Sequence, residues 1–285
     1  MNNKRNFLLF LLLGTTFLLR AQTDISESKF YVKVYGGYGL ITPGSYKLAS
    51  SSNAGGAGNT SLSKTGLGAG IRAGGGIGVI ISDFLNIGAD VEYLSGASLK
   101  SNTVYSSSAS YYISRTQIKY TSLSITPHVV FKALSKPDYL IYNRFGILLN
   151  LPMNLKKTEF DSSFTAGSPN YYYSANKTGT YKVGLTAGLS VALGVQVRLT
   201  DNLRGFAELF GNYLVLSPTN YDENSIVINN GAKTSSDLHG TYIKDGQTSY
   251  NSPPGSTTTT YTTSVNGNTF NMNAVGVNIG ITYRF

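Results

Sequence analysis

The chain has 285 residues, a formal net charge of +9 at pH 7, no cysteine and no tryptophan. Disulfides and a lipid-modified N-terminal cysteine are therefore excluded. The lysines and arginines form no cluster along the sequence, which does not indicate a nucleic-acid partner. Only 13% of the residues are charged, about half of the usual share, yet no segment after the N-terminal region approaches the roughly 18 apolar residues of a membrane helix.

The N-terminal segment has the pattern of a secretory signal peptide. Lys4 and Arg5 precede an apolar run at 7–19, and the apolar character ends at Ala21-Gln22. The run is too short for a comfortable transmembrane helix. We predict a signal peptide at 1–21 and a single domain at 22–285; an uncleaved signal anchor is the alternative.

Eight segments alternate apolar and polar residues with a period of two, which predicts eight β-strands. The sixth is the clearest, because every second residue from Tyr181 to Leu199 is apolar. We expect these residues to face lipid and the intervening ones, from Lys182 onward, to face the lumen. Strands in soluble sandwiches average about 5–6 residues, whereas membrane-spanning strands need about 9–11. The predicted strands are 30–40, 66–81, 85–93, 123–131, 139–153, 181–199, 203–213 and 275–285.

The connections between these strands alternate in length. Short connections follow the second, fourth and sixth strands, and long connections follow the first, third, fifth and seventh. Such parity is typical of outer-membrane barrels, which have short periplasmic turns and long extracellular loops. The short connections are 82–84, 132–138 and 200–202, and the long ones are 41–64, 96–115, 154–178 and 217–269.

We therefore expect an all-β fold, a transmembrane antiparallel up-and-down β-barrel of eight strands in the cell outer membrane. A ten-stranded barrel is the alternative if Ser225–Asn229 also pairs, although Ser225–Ile228 is too short to span a membrane. Near the C-terminus, Asn266-Gly267 predicts a two-residue hairpin turn that extends the eighth strand above the membrane against a partner strand at 258–265.

The C-terminal residues alternate in polarity and end on an aromatic side chain. Chain termini are usually polar and frayed, whereas the last strand of an outer-membrane barrel places its final aromatic in the interfacial girdle. The pattern resembles the C-terminal signal that the outer-membrane assembly machinery reads, and it implies that machinery and outer-membrane lipid as partners. The residues that carry it are Asn278, Gly280, Tyr283 and Phe285.

Three stretches and the Ala-Gln junction resemble the small outer-membrane β-barrel family of Bacteroidota, the PorT-like proteins. They are the Thr-Asp-Asn-Leu turn at 200–203, the segment 120–127 and the terminal Tyr-Arg-Phe. The resemblance covers the whole mature chain as a pattern rather than as a tight motif. It implies location and architecture, and it implies little about activity.

Charged residues on the inward face of the predicted strands should pair, since an unpaired buried charge costs several kcal/mol. We expect Arg72 to pair with Asp90 or Glu92, and Glu208 to pair with Arg144 or Arg204. The hypothesis that follows is a non-enzymatic barrel with an occluded, charge-lined lumen and a structural or surface-recognition role. A narrow channel for small polar solutes, lined by the same residues, is the alternative.

An outer-membrane enzyme acting on lipid A or peptides is the third hypothesis. His128 is predicted near the periplasmic end of its strand, where it would form hydrogen bonds in the lumen. His239 lies in the longest connection beside Ser235, Ser236 and Asp237, but no base-orienting geometry can be read from this pattern. We predict no catalytic residue, metal site or cofactor. The loops are rich in Ser, Gly and Tyr, which are residues of adaptable binding surfaces. Binding of an extracellular ligand by the loops is therefore an open alternative.

Overall fold

The computed structural model describes residues 30–42, 46–54, 57–167, 169–243, 247–251, 262–264 and 269–285. The predicted signal peptide at 1–21 and the predicted turn at Asn266-Gly267 lie outside these ranges. Within them, no helix is long and apolar enough to cross a bilayer.

The described residues form eighteen β-strands. In chain order they are β1 (Phe30–Ile41), β2 (Tyr46–Ala54), β3 (Ala57–Thr65), β4 (Gly70–Ile80), β5 (Leu85–Gly96), β6 (Leu99–Ser106), β7 (Ser110–Ser135), β8 (Tyr139–Thr165), β9 (Tyr171–Val183), β10 (Thr186–Arg198), β11 (Leu203–Tyr213), β12 (Val215–Leu216), β13 (Pro218–Asn229), β14 (Ala232–Ile243), β15 (Gln247–Asn251), β16 (Thr262–Ser264), β17 (Phe270–Asn271) and β18 (Ala274–Arg284).

Eight of these strands close a ring, each paired antiparallel with two neighbours. The order around the ring is β1, β4, β5, β7, β8, β10, β11, β18 and back to β1. The closing register runs from Tyr31 opposite Arg284 to Ile41 opposite Ala274. The eight-stranded up-and-down barrel is therefore confirmed. The ten-stranded alternative is wrong, because Ser225–Asn229 belongs to β13, which pairs with β9 and β14 outside the ring.

The outer surface of the ring is apolar and its interior is polar. Ile77, Leu193 and Ile279 are 65%, 51% and 66% exposed, whereas the inward Asp90 and Arg144 are 1% and 5% exposed. An apolar belt around a closed polar interior is the pattern of a membrane barrel, in which every backbone group of the wall is hydrogen-bonded. The protein is thus an outer-membrane barrel, with the start of β1, the end of β18 and the short turns on the periplasmic side.

The second predicted strand begins later than expected. The alternation within 66–81 predicts that the apolar Leu67 and Ala69 face lipid, but each is only 2% exposed and lies inside the extracellular mouth. Gly70 has a φ of 138°, a conformation that glycine tolerates, and this residue interrupts the alternation. Ile71, the next residue of the same parity, faces outward with 65% exposure.

The sixth predicted strand is two strands. β9 ends at Val183 and β10 begins at Thr186, so the predicted outward positions of Tyr181 and Val183 are wrong. Both residues belong to the extracellular part of the molecule and pack against apolar side chains there. Lys182, predicted to face the lumen, is exposed and forms an ion pair with Asp222 at 2.9 Å.

The long connections are mainly β-sheet rather than loops. β7 and β8 are 26 and 27 residues long and stay paired with each other where they continue out of the ring. β6 pairs with the outer part of β7, and β9 with the outer part of β8. We call the open sheet of β2, β3, β6, β9, β13–β16 and the outer parts of β7 and β8 the extracellular sheet.

A β-bulge marks the point at which β8 leaves the ring. Thr121 lies opposite Asn154 and Ser122 opposite Pro152, so Met153 is an extra residue. One extra residue reverses which side chains face outward. Leu155 is consequently buried at 1% exposure, whereas Lys156 faces outward and is exposed.

The predicted upward extension of the eighth strand is wrong. β18 begins at Ala274, and the preceding β17 pairs with β12 across the mouth of the barrel. Of the predicted partner segment, Thr262–Ser264 is described and pairs with β15. Phe270 and Met272 are 2% and 4% exposed, which explains why the chain bends inward here: the bend buries two large apolar side chains.

Candidate functional site

The ring encloses a lumen that side chains fill by pairing a large residue with a glycine. Tyr31 lies opposite Gly78, and Tyr142 lies opposite Gly194. A Cβ atom added at Gly78 would lie 2.2 Å from Cζ of Tyr31, and one at Gly194 would lie 2.4 Å from Cζ of Tyr142. These glycines therefore provide the space that the tyrosine rings occupy, in the manner of small barrels whose interior is packed.

Arg144 is at the centre of the charged interior. Its Nη2 and Nε atoms donate to the carboxylate of Glu208 at 2.8 and 3.2 Å, and its Nη1 lies 3.4 Å from Oδ2 of Asp90. Tyr142 donates a further hydrogen bond to Glu208 at 2.9 Å. Lys33 Nζ lies 2.8 Å from Oδ2 of Asp90. Four strands of the ring are linked by this one set of ion pairs.

A second ion pair lies closer to the extracellular side. Arg72 pairs with Glu92, and its Nη2 also donates to the backbone oxygen of Gly68 at 2.8 Å. The Arg72 guanidinium carbon lies 4.8 Å from the ring centre of Phe210, a cation–π distance. Tyr35 donates to the same glutamate at 3.3 Å.

Together these side chains form what we call the lumen network. It has three cations and three anions, so its formal charges cancel, and all are at most 8% exposed. Its members are Lys33, Arg72, Asp90, Glu92, Arg144 and Glu208.

The structure brings together five of the six residues predicted from sequence. Arg72 pairs with Glu92 rather than Asp90, and Glu208 pairs with Arg144 rather than Arg204. Arg204 is half-buried near the periplasmic end, opposite Thr282. Lys33 belongs to none of the pairs predicted from sequence, and it is the closest cation to Asp90, at 2.8 Å. His128 is 4% exposed, and its Nδ1 lies 3.0 Å from the backbone oxygen of Thr126.

Apolar side chains close the lumen on the extracellular side, and sequence reasoning missed them. Those of Tyr120, Leu155, Leu214 and Leu216 are at most 1% exposed. We call this cluster the apolar cap. Its members are Leu67, Leu94, Leu99, Ile118, Tyr120, Leu148, Leu155, Leu214, Leu216, Phe270 and Met272.

Two cavities inside the described lumen are small. A cavity of about 40 Å³ at the periplasmic end touches Lys33, Gln196 and Arg284, and one of about 10 Å³ beside Asp90 lies under the cap. A water molecule needs roughly 10–15 Å³ of such volume. The first cavity therefore holds only a few waters, and the second at most one.

The predicted assembly-signal residues lie on β18 and at its end. Asn278 faces the lumen at 2% exposure, and Gly280 lies opposite Tyr35 and Phe206. Tyr283 and Phe285 face outward at the periplasmic rim, 42% and 63% exposed, with their rings edge to face at 5.1 Å.

The cluster considered for an enzyme lies in a strand rather than a loop. Ser235, Ser236, Asp237 and His239 belong to β14, where the backbone of His239 lies opposite Asp222. Across the described residues, no group of three or more His, Asp and Glu side chains is arranged to hold a metal ion.

The inner face of the extracellular sheet carries a separate set of ion pairs. Lys157 lies 2.6 Å from Glu159, and Lys177 lies 3.4 and 3.5 Å from Glu159 and Asp161. Burial acts to raise the pKa of Glu159, but the hydrogen bond and charge of Lys157 outweigh it and lower the pKa below 4.5. Burial acts to lower the pKa of Lys177, but Glu159 and Asp161 outweigh it and raise the pKa above 10.5.

A comparison with solved structures finds outer-membrane proteins at low similarity. A major outer membrane protein from Thermus thermophilus is 12% identical, with a TM-score of 0.36, over 90% of this chain and 99% of that one. CarO2 of Acinetobacter baumannii is 9% identical, with a TM-score of 0.27, over 89% and 99%. A FadL homologue of Pseudomonas aeruginosa is 11% identical, with a TM-score of 0.22, over 90% of each. No protein-family model and no curated protein matches the sequence.

Proposed function

We propose that the protein is a closed outer-membrane barrel whose extracellular sheet binds a partner at the cell surface. In this proposal the protein neither conducts solutes nor catalyses a reaction. The resemblance of 200–203 and 120–127 to PorT-like proteins is the basis for proposing that group as its family. The proposal has two parts, a sealed lumen and an exposed binding face.

The sealed lumen rests on two successive barriers. A solute entering from outside meets the apolar cap and then the neutral, internally paired lumen network. Breaking a buried ion pair by removing one partner costs about 3–5 kcal/mol, so a polar solute would have to compensate for several such losses. The same pairing leaves Asp90, Glu92 and Glu208 occupied by cations, which argues against a catalytic role for them.

The observation that carries the recognition role is a row of aromatic side chains near the tip of the extracellular sheet. Tyr111 lies opposite Phe164, which lies opposite Tyr172, on one face of β7, β8 and β9. They are 41%, 38% and 47% exposed. Exposed apolar patches of this kind mark interaction sites, and tyrosine is enriched in protein interfaces. We call these three residues the aromatic row.

The sealed lumen is tested by single-channel recording of the full-length protein purified from outer membranes and inserted in planar bilayers. Heat-shifted gel mobility verifies that the barrel is folded. We expect no current steps. Reproducible steps from the folded protein would replace the proposal with the channel hypothesis.

The recognition role is tested on cells that display the full chain. Adhesion to immobilised collagen, fibronectin and laminin is compared for the wild type, for Tyr111→Ser/Phe164→Ser/Tyr172→Ser and for Tyr105→Ser/Tyr171→Ser. The double variant Tyr105→Ser/Tyr171→Ser is the control, because it removes two tyrosines, 43% and 42% exposed, from the opposite face of the sheet. We expect only the first variant to lose adhesion. Unchanged adhesion in that variant, or no adhesion by the wild type, contradicts recognition of these matrix proteins by the aromatic row.

A further inference from the structure

Four cations lie together on the outer face of the extracellular sheet, where it leaves the membrane. Lys119 of β7 lies directly opposite Lys156 of β8, Lys100 of β6 lies opposite Gln117, and Arg115 lies opposite Asn102. All four are exposed. We call Lys100, Arg115, Lys119 and Lys156 the basic patch.

No anion within the described residues neutralises the basic patch. The carboxylates nearest along β8, Glu159 and Asp161, lie on the inner face and pair with Lys157 and Lys177. On the outer face, Asp222 is two strands from β8 and pairs with Lys182. Like charges directly opposite each other on a sheet are destabilising. An anion bound between Lys119 and Lys156 would offset their repulsion.

The basic patch is continuous with the lipid-facing surface. Along β7 the outward positions run from Phe131 through Ile125 and Leu123 to Lys119 and Arg115. Lys119 is four residues beyond Leu123, about 13 Å at roughly 3.3 Å per residue, or about 10 Å along the membrane normal for a strand tilted by about 40°. This height corresponds to the head-group layer of the outer leaflet.

A groove of about 400 Å³ lies over the outer part of the same surface. Its outward lining combines two cations, hydrogen-bonding groups and one aromatic ring: Lys100, Asn102, Arg115, Gln117, Thr158 and Phe160. Cationic groups suit phosphate oxygens, and the amides and hydroxyl suit the hydroxyl groups of a sugar. The volume is in the range of small-molecule sites.

We propose that the basic patch and this groove bind the phosphorylated sugar head group of an outer-leaflet glycolipid. Lys119 and Lys156, nearest the apolar belt, contact a phosphate at the membrane surface. Lys100 and Arg115 lie farther out and contact the sugar and any second phosphate.

The experiment uses the full-length protein purified in detergent and titrated with bis-phosphorylated lipid A, followed by native mass spectrometry. The variant Lys119→Gln/Lys156→Gln is compared with Lys136→Gln/Lys233→Gln, which removes two exposed lysines elsewhere, and with Lys119→Arg/Lys156→Arg. A cation near an anionic membrane surface contributes roughly fivefold in affinity. We therefore expect about thirty-fold weaker binding in the first variant, and wild-type binding in the other two.

Three results would overturn the proposal. One is equal loss in the Lys136/Lys233 control, which indicates general charge attraction. Another is equal binding of dephosphorylated lipid A, which indicates contact with the acyl chains alone. The third is tighter binding of inorganic phosphate or heparin than of lipid A, which indicates a soluble anion as the ligand. Gel mobility establishes that every variant is folded.

Discussion

Arg144 is the residue on which the interior of the barrel most depends. Its guanidinium, on β8, contacts Glu208 on β11 through two nitrogen atoms and Asp90 on β5 through the third. Two parallel N–H to oxygen contacts of this kind are geometrically specific as well as strong. Lysine could not reproduce them, because its ammonium is a single point of charge.

Arg144→Met should therefore destabilise the folded barrel by about 3–5 kcal/mol, the usual effect of leaving buried charges without a partner. Arg144→Met/Glu208→Met should be less destabilised than Arg144→Met alone, because the largest uncompensated charge is removed with its partner. Urea unfolding in lipid vesicles, followed by gel mobility, measures the free energy of unfolding of these two variants and of Glu208→Met. A double variant as unstable as the sum of the two single variants would show that the ion pair is not the source of the effect.

Individual residues in the sequence indicate the apolar cap, although the alternation of apolar and polar residues alone does not predict it. Leu94 follows Asp90 and Glu92 at the same parity, and Leu148 follows Arg144. Apolar residues that take over the inward positions at the extracellular ends of strands indicate closure of the mouth. Both Asp90 and Glu92 lie at inward-facing positions of the same strand. The sequence alone therefore does not tell which of them pairs with Arg72.

At the scale of elements, the β7–β8 hairpin connects the membrane barrel to the extracellular sheet. Below the bulge at Met153, β8 presents Leu151 to lipid. Above it, the strand presents Lys156 outward and buries Leu155 within the apolar cap. The inner face of the sheet is joined by the ion pairs of Glu159 with Lys157 and Lys177. Of these, the pair of Glu159 with Lys177 connects the hairpin to β9.

Acid should loosen this connection. The pKa of Glu159 is lower in the folded chain than its ordinary value of 4.5, so its ion pairs stabilise fully above about pH 4.5 and are lost as the pH falls through the folded pKa. Hydrogen-exchange protection of 155–165, corrected for the intrinsic rate, should fall over that window. In Glu159→Gln it should already be reduced at neutral pH and depend less on pH.

Ring strands β10 and β11 serve as the internal control for that measurement, because neither contains Glu159 or its partners. If the protection of 155–165 depended on pH in the same way in the wild type and in Glu159→Gln, carboxylates other than Glu159 would be the cause of the acid effect.

The extracellular strands could not be predicted from the alternation used for the barrel. In 100–117 and 171–180 both faces are mainly polar or aromatic, so neither face gives the apolar stripe that marks a half-buried strand. Their strand state comes from pairing with the edges of β7 and β8, which is a non-local effect. Membrane strands, by contrast, have one face in lipid and are readable from sequence.

At the scale of the whole molecule, the number of strands followed from two independent patterns, alternation and the parity of connection lengths. Both patterns agree with a ring of eight. The alternation of short and long connections predicts the ring correctly although the long connections are sheet rather than loop. Only the end of the barrel at which each connection lies matters for this prediction. Orientation follows from the same parity: the extracellular sheet lies at the end opposite the C-terminal aromatic pair.

This orientation leads to a prediction that the absence of cysteine makes easy to test, since each substitution introduces a single thiol. Ser108→Cys, in the exposed turn between β6 and β7, should react on intact cells with a maleimide attached to a large polyethylene glycol that cannot cross the outer membrane. Ser135→Cys, equally exposed but at the other end of β7, should react only after the outer membrane is permeabilised. The reverse pattern would place the extracellular sheet in the periplasm, where neither the aromatic row nor the basic patch could meet the partners proposed for them.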